Sequence, residues 1–186
     1  MTESVSNQST PDSSGVTTNP QSLLAGAVAA LNQAADLVAS LTDDQYSAVS
    51  DEYHASIGQH LRHALDHFRA LTAGYENDQT VSYDQRQRGT PIESDRAAAA
   101  ELIDDLRARV EGLDEVQMSF DVRIAVMTSA EGDEAEITST LARELAFVTH
   151  HAIHHYALVK PICREHAVQV PEELGRAPST VKNDRA

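Results

Sequence analysis

The stretch FVTHHAIHHYALVK, Phe147 to Lys160, carries four of the nine histidines of the chain within six positions. Its apolar residues, with those just before it, recur every three or four positions, which is typical of an amphipathic helix. At about 100° per residue, His151 and His155 lie at the edge of the apolar face, whereas His150 and His154 point outward. Two imidazoles one helical turn apart can bind one metal ion. The stretch therefore predicts a helix that supplies two metal ligands and needs a third from elsewhere.

A second group of histidines lies in SIGQHLRHALDHF, Ser56 to Phe68. His60, His63 and His67 form a stripe along one flank of the apolar face of another predicted helix, and the helical angles place His60 and His67 closer to the core than His63. These angles leave the choice of the third ligand open. Three histidines from two helices would leave coordination positions for water or substrate, as in catalytic sites. His60, Asp66 and His67 are the nearby candidates for a catalytic base or for a partner that orients a ligand.

Four segments with helical spacing of apolar residues dominate the rest of the chain. They run from Gln21 to about Leu41, from Ser56 to about Gly74, from Ser94 or Asp95 to about Leu113, and from Thr138–Thr140 to about Lys160, where Pro161 is expected to kink or end the helix. Strict alternation from Val116 to Val126 predicts a short strand, which the Glu136-Ile-Thr segment would extend to a hairpin. We therefore expect an all-α fold, an antiparallel four-helix bundle with a short β-hairpin between the third and fourth helices.

Three parts of the chain follow from this pattern and from composition. Residues 1–20 are almost entirely polar and are predicted to be a disordered tail, 21–165 the bundle, and 166–186 a polar C-terminal extension. The formal charge of −15 disfavours nucleic acid and anionic membranes as partners, because both require basic residues. The single Cys163 excludes an intramolecular disulfide and a cysteine-based zinc site. No basic residue precedes Arg62, so no signal peptide is predicted and a cytoplasmic location is expected.

The connection between the second and third predicted helices contains the polar sequence YDQRQRG, Tyr83 to Gly89. Arg86 and Arg88 alternate, so in an extended loop both would point the same way and form a fork for the carboxylate or phosphate of a bound cofactor or substrate. In the alternative interpretation these arginines pair with local acidic residues and fasten the loop to the bundle. Glu144, seven residues before His151, is predicted either to hydrogen-bond a histidine ligand or to form a surface ion pair.

The two histidine motifs together resemble the DinB superfamily of DinB/YfiT-like metal-dependent enzymes, over roughly Gln21 to Ile162. In that family a histidine follows a short apolar run on the second helix, here Leu61-Arg62-His63, and an HxxHH run lies on the last helix. The resemblance implies His63, His151 and His155 as metal ligands, and so favours His63 where the helical angles leave the choice open.

The resemblance also implies a function. It points to a divalent ion, zinc or nickel, and to a hydrolase or a thiol-dependent transferase acting on a small molecule, with a low-molecular-weight thiol as a candidate co-substrate. Many family members continue HHRGQ after the last ligand, whereas this chain has His155-Tyr156-Ala157-Leu158, which leaves the substrate class open. The alternative is a non-catalytic, stress-associated bundle held together by its metal. The outward His150 and His154 are candidates for a homodimer contact or have no role.

Overall fold

A computed structural model describes residues 19–85 and 88–185 of the chain. Helices dominate it: α1 Pro20–Ser40, α2 Asp43–Ser47, α3 Ile57–Glu76, α4 Arg96–Glu111, α5 Leu141–Glu165 and α6 Pro178–Asp184. The four long helices confirm the four predicted ones. Pro161 was expected to kink or end the last helix. It does not end the helix, because α5 continues to Glu165, and the kink stays a prediction. Most of the predicted N-terminal tail lies outside the described residues.

The start of α3 is fixed by local hydrogen bonds that its sequence encodes. The Ser56 hydroxyl accepts a bond from the backbone N–H of Gln59 at 3.1 Å, and the Gln59 side chain accepts one from the backbone N–H of Ser56 at 3.0 Å. This reciprocal cap satisfies two backbone donors that the first helical turn would otherwise leave unpaired. It also sets the register of α3, and hence the positions of its histidines.

Two pairs of contacts assemble the long helices. Both α1 and α3 pack against α4 and against α5. Their buried faces are mainly apolar, as the helical spacing of the sequence predicts, and form one continuous core. The antiparallel orientation of the four helices stays a prediction.

Among the described residues, α1 alone is long and apolar enough to cross a membrane, judged by length and composition, with a mean hydropathy of 1.4. Within the fold, one face of this helix is buried, with Ala27, Leu31 and Ala34 fully enclosed. The helices α4 and α5 pack against α1. Its apolar composition therefore has a structural explanation as a core helix.

A small sheet contacts α3 and α5. It has three strands in the order β1 Val81–Ser82, β2 Asp121–Met127 and β3 Glu134–Thr140. The sheet contacts α3 through β1 and α5 through β3. The antiparallel pairing of β2 with β3 confirms the predicted hairpin. Its first strand begins at Asp121 rather than Val116, because Gln117–Ser119 form a turn of 3₁₀ helix. The strand β1, which pairs parallel to β2, was not predicted.

The C-terminal segment packs against α5. Leu174 is buried, and Gly175 adopts a φ of +70°, a left-handed conformation that favours glycine. A Cβ atom at Gly175 would lie 2.2 Å from the backbone nitrogen of Ala157, so no other residue fits without a shift of the chain. This close approach fastens the segment that leads to α6.

Candidate metal centre

Three histidines from two helices converge at the interface of α3 and α5. One ligand nitrogen from each of His63, His151 and His155 lies within 4.8 Å of the other two. The Nε2 atoms of His63 and His151 are 3.1 Å apart. All three side chains are half-buried. The i, i+4 spacing on α5 thus brings His151 and His155 together, and α3 places a nitrogen of His63 beside them.

The distance between two of these nitrogens, those of His63 and His151, suits a bound metal ion. Zinc binds imidazole nitrogens at 2.0–2.1 Å, so two ligands of a tetrahedral ion lie about 3.3 Å apart. The observed 3.1 Å between His63 and His151 is close to that value. A hydrogen bond between two rings would also give this distance, but it would not explain the third nitrogen. A set of imidazole nitrogens fits zinc and nickel, so these residues fit the divalent ion that the resemblance implies.

His60 contacts the triad through His155. Its Nδ1 atom lies 3.1 Å from the Nδ1 atom of His155. Burial, followed by the charges of the neighbouring His151 and His60, lowers the pKa of His155 to about 3. Burial is also the main cause of the lowered pKa of His60. His60 and His155 are therefore neutral at pH 7, and the neutral imidazole is the form that binds metals.

His67 packs beside the triad rather than joining it. Its Nδ1 atom lies 2.9 Å from the backbone oxygen of His63, one turn earlier on α3. Its ring stacks on His151, with centroids 4.0 Å apart, and on Tyr83, with centroids 5.1 Å apart. Of the three candidates on α3, the structure therefore brings His63 into the cluster of nitrogens. The role of these residues as metal ligands stays a prediction.

Comparison with known families tests the resemblance directly. A family model described as the DinB superfamily matches residues 27–159, which is more than two thirds of the chain. The chain belongs to the DinB superfamily. This family is associated with metal binding, in agreement with the histidine cluster.

Two relatives of this DinB-superfamily chain are informative about fold and extent. A crystal structure of the DinB-like protein YjoA from Bacillus subtilis aligns with a TM-score of 0.58 and 20% identity, over 84% of this chain and 99% of that one. At this identity the likeness shows the fold alone. FK506-binding protein 5 of Rhizopus delemar is 35% identical over 104 residues, which make up 55% of this chain. The match spans 27% of that longer protein.

Asp66 of this DinB-superfamily protein lies within a network of ion pairs. Its carboxylate accepts bonds from Arg62 at 3.3 Å and from Arg69 at 2.7 Å. Arg62 also donates to Glu93 at 3.0 Å. Among the described residues, these two arginines are the recorded side-chain partners of Asp66. Its predicted role as a base stays a prediction, and its contacts favour a part in fixing Arg62.

Of the two arginines predicted to bind an anion, the structure describes Arg88. Arg86 lies outside the described residues. Arg88 is exposed and lines a cavity of about 350 Å³ together with His60, His63 and His155. The predicted position of an arginine beside the histidines is therefore observed for Arg88, and its binding role stays a prediction.

Glu144 is fully buried, so its predicted alternative as a surface ion pair is wrong. It accepts hydrogen bonds from Tyr83 at 2.9 Å, Ser139 at 2.7 Å and Arg143 at 2.6 Å. Burial, followed by the charge of Glu144, raises the pKa of Tyr83. Tyr83 thus links this carboxylate to the histidines, because its ring stacks on His67.

The sequence reasoning missed Tyr83 as a neighbour of the site. Val81 is buried and Tyr83, two residues later, is half-buried, as for residues that share one face of a strand. This spacing of two was the signal in the sequence that could have placed Tyr83 toward the interior. The two residues of β1 are too few for that signal to stand out from the polar connection.

Proposed function

We propose that this protein binds one divalent ion, zinc or nickel, through His63, His151 and His155 and acts as a metal-dependent enzyme. The reaction is either hydrolysis or transfer to a thiol, with a small molecule as the substrate. The observation that carries the proposal is the cluster of three imidazole nitrogens beside a cavity of about 350 Å³. Cavities of about this size hold small-molecule ligands in other proteins.

The residues around the triad have distinct tasks in this proposal. An ion bound there would supply a Lewis acid that activates water or a thiol and polarises an electrophile. His60 engages the Nδ1 atom of His155, which leaves the Nε2 atom of His155 for the ion. A partner of this kind fixes the tautomer and orientation of a ligand ring. His60 is therefore proposed as a positioning residue.

The nucleophile comes from outside the chain. Cys163 is the single cysteine, and it is fully buried on α5. Burial raises the pKa of its thiol to about 11, so it carries almost no thiolate at neutral pH. Water or a low-molecular-weight thiol is the nucleophile that fits this arrangement. The cytoplasmic location and the homodimer contact at His150 and His154 stay predictions.

A structural metal site is the alternative that an experiment must separate from this proposal. Structural zinc sites have four protein ligands and stabilise folding directly, whereas catalytic sites keep one position for water or substrate. The triad supplies three nitrogens and adjoins a cavity, which supports an open site.

The test compares metal-free protein with protein reconstituted with zinc or nickel. Thermal melts would be recorded alongside two assays, ester hydrolysis and transfer of glutathione or cysteine to an aromatic electrophile. We expect folded apo protein, metal-dependent turnover, loss of turnover in His151→Ala, and normal turnover in His150→Ala, whose ring points outward on the same helix. An apo protein that is unfolded, together with no turnover by the loaded protein, would establish a structural metal instead.

A further inference from the structure

The cavity beside the triad has a wall that the metal-binding proposal does not use. Besides His60, His63 and His155, it is lined by Arg62, Arg88 and Glu93. In that proposal His63 and His155 bind the ion, and His60 positions His155. The other three bring charge to a space of about 350 Å³, and their pairing decides which charge remains available to a ligand.

Most of the described arginines of this acidic chain are neutralised by carboxylates. Nine of the eleven described arginines form an ion pair with a carboxylate, among them Arg62, which pairs with both Asp66 and Glu93. Among the described residues, Arg88 and Arg164 are the two without such a partner, and Arg88 is the one that lines the cavity. In a chain with 29 acidic and 14 basic residues, an arginine without a carboxylate partner marks a place where an anion can bind.

The backbone next to Arg88 is held in place from α3. The N–H of Gly89 donates to a carboxylate oxygen of Glu93 at 2.9 Å, and Arg62 donates to the same oxygen at 3.0 Å. Gly89 has a φ of +69°, so the turn that presents Arg88 favours glycine at that position.

Close packing reinforces this attachment. A Cβ atom on Gly58, in the first turn of α3, would lie 2.1 Å from the backbone oxygen of Glu93. The segment that carries Arg88 therefore rests directly on the helix that carries His63.

We propose that Arg88 binds the carboxylate of a small anionic substrate beside the histidine triad, an inference that rests on the function proposed above. The planar guanidinium offers two parallel N–H groups that match a carboxylate. A formal charge of −15 disfavours a phosphate dianion more strongly than a carboxylate monoanion, because the surrounding field acts on each negative charge. The carboxylate is therefore the anion that this site favours.

The experiment is calorimetric titration of zinc-loaded protein with the monoanions propionate and benzoate, using propionamide and benzamide as neutral counterparts and inorganic phosphate as a separate arm. We expect at least one carboxylate to bind and its amide not to bind. Arg88→Gln should weaken that binding at least about tenfold, because a hydrogen bond to a charged group is lost. Arg88→Lys should recover part of it. Arg164→Gln removes the other arginine without a carboxylate partner and should change nothing.

Three results would overturn the inference: no carboxylate binding by wild type, equal binding by Arg88→Gln, or tighter binding of phosphate than of either carboxylate. The zinc content of each sample separates this test from the proposed function. Normal zinc content with no role for Arg88 would remove the carboxylate site alone. Absence of zinc would remove the metal proposal, and the same titration of metal-free protein would still show whether Arg88 binds carboxylates.

Discussion

The helix pair α1 and α4 and the helix pair α3 and α5 are both central to the fold, but they bury different chemistry. The buried residues of α1 and α4 are all apolar, for example Leu31 and Ile103. Within the described part of the chain, every buried side chain of an acidic residue, a basic residue or a histidine lies on α3 or α5: Arg62, Asp66, His67 and Glu144.

This difference separates stability from function. Burying a charged group costs several kcal/mol unless partners satisfy it, and replacing such groups by apolar ones is often neutral or stabilising. A helical bundle does not need them to fold, as α1 and α4 illustrate. The polar content of α3 and α5 is therefore best explained by a site. We expect mutations in the two pairs to have separable effects on stability and on metal binding.

The largest effect is expected from the triad. Changing His63, His151 or His155 to Ala should weaken zinc binding at least about a hundredfold, because the loss of an outer partner alone costs 10–100-fold. The side chains are half-buried, so the fold should survive. Competition with a chelating dye measures the affinity, and circular dichroism monitors the fold. His154→Ala, an exposed neighbour on α5, is the matched control. Equal affinity in the three variants and the control would contradict the site.

A core mutation between α1 and α4 should do the opposite. Ile103 is fully buried, and Ile103→Ala should lower the free energy of unfolding by about 2–5 kcal/mol, because it leaves a cavity. Urea denaturation measures this loss. The folded variant should still bind zinc with the stoichiometry of wild type. A folded variant without zinc would show that the two helix pairs are not separable.

Tyr83→Phe tests the polar surroundings of the triad. The change removes the bond of 2.9 Å from Tyr83 to buried Glu144 and leaves its bonds to Ser139 and Arg143. A hydrogen bond to a charged group contributes about 1.5–3 kcal/mol. The free energy of unfolding, measured in urea, should therefore fall by about that amount. The phenyl ring can still stack on His67, so zinc affinity should change less than about tenfold. Unchanged stability would mean that Glu144 does not depend on this bond.

The smallest effect concerns Cys163, in the C-terminal half of α5. Burial raises the pKa of its thiol to about 11, so native protein at pH 8 should react with a disulfide reagent very slowly. The rate should rise when urea unfolds the chain. The thiol loses its proton at a lower pH in the unfolded chain than in the folded one. It therefore destabilises the fold only when the pH rises above the ordinary pKa of a cysteine thiol. Rapid reaction of the native protein at pH 8 would show that the thiol is accessible.

The sequence predicts the elements that are long enough for the periodic spacing of their apolar residues to be visible. Each long helix shows its apolar period over at least 16 residues, so all four were predictable. The strand β1 has two residues and α6 has seven, which is too short for a period to appear. The packing of Gly175 on α5 joins residues far apart in sequence, and no local pattern encodes it.

The candidate site divides in the same way. His151 and His155 share one helix, so their relative position follows from helical geometry alone. The choice among His60, His63 and His67 depends on how far α3 is shifted along α5, and the angles around one helix contain no such information. Family resemblance supplied that choice. Glu144 was predicted to hydrogen-bond a histidine ligand from two turns away on the same helix. Its carboxylate instead accepts hydrogen bonds from Tyr83, Ser139 and Arg143.

The most direct test of the account is elemental mass spectrometry of untagged protein after reconstitution with zinc or nickel, for wild type and His63→Ala. The account predicts one metal ion per wild-type chain and almost none in the folded variant. No metal in wild type after reconstitution, or one ion retained by His63→Ala, would contradict a site built from His63, His151 and His155.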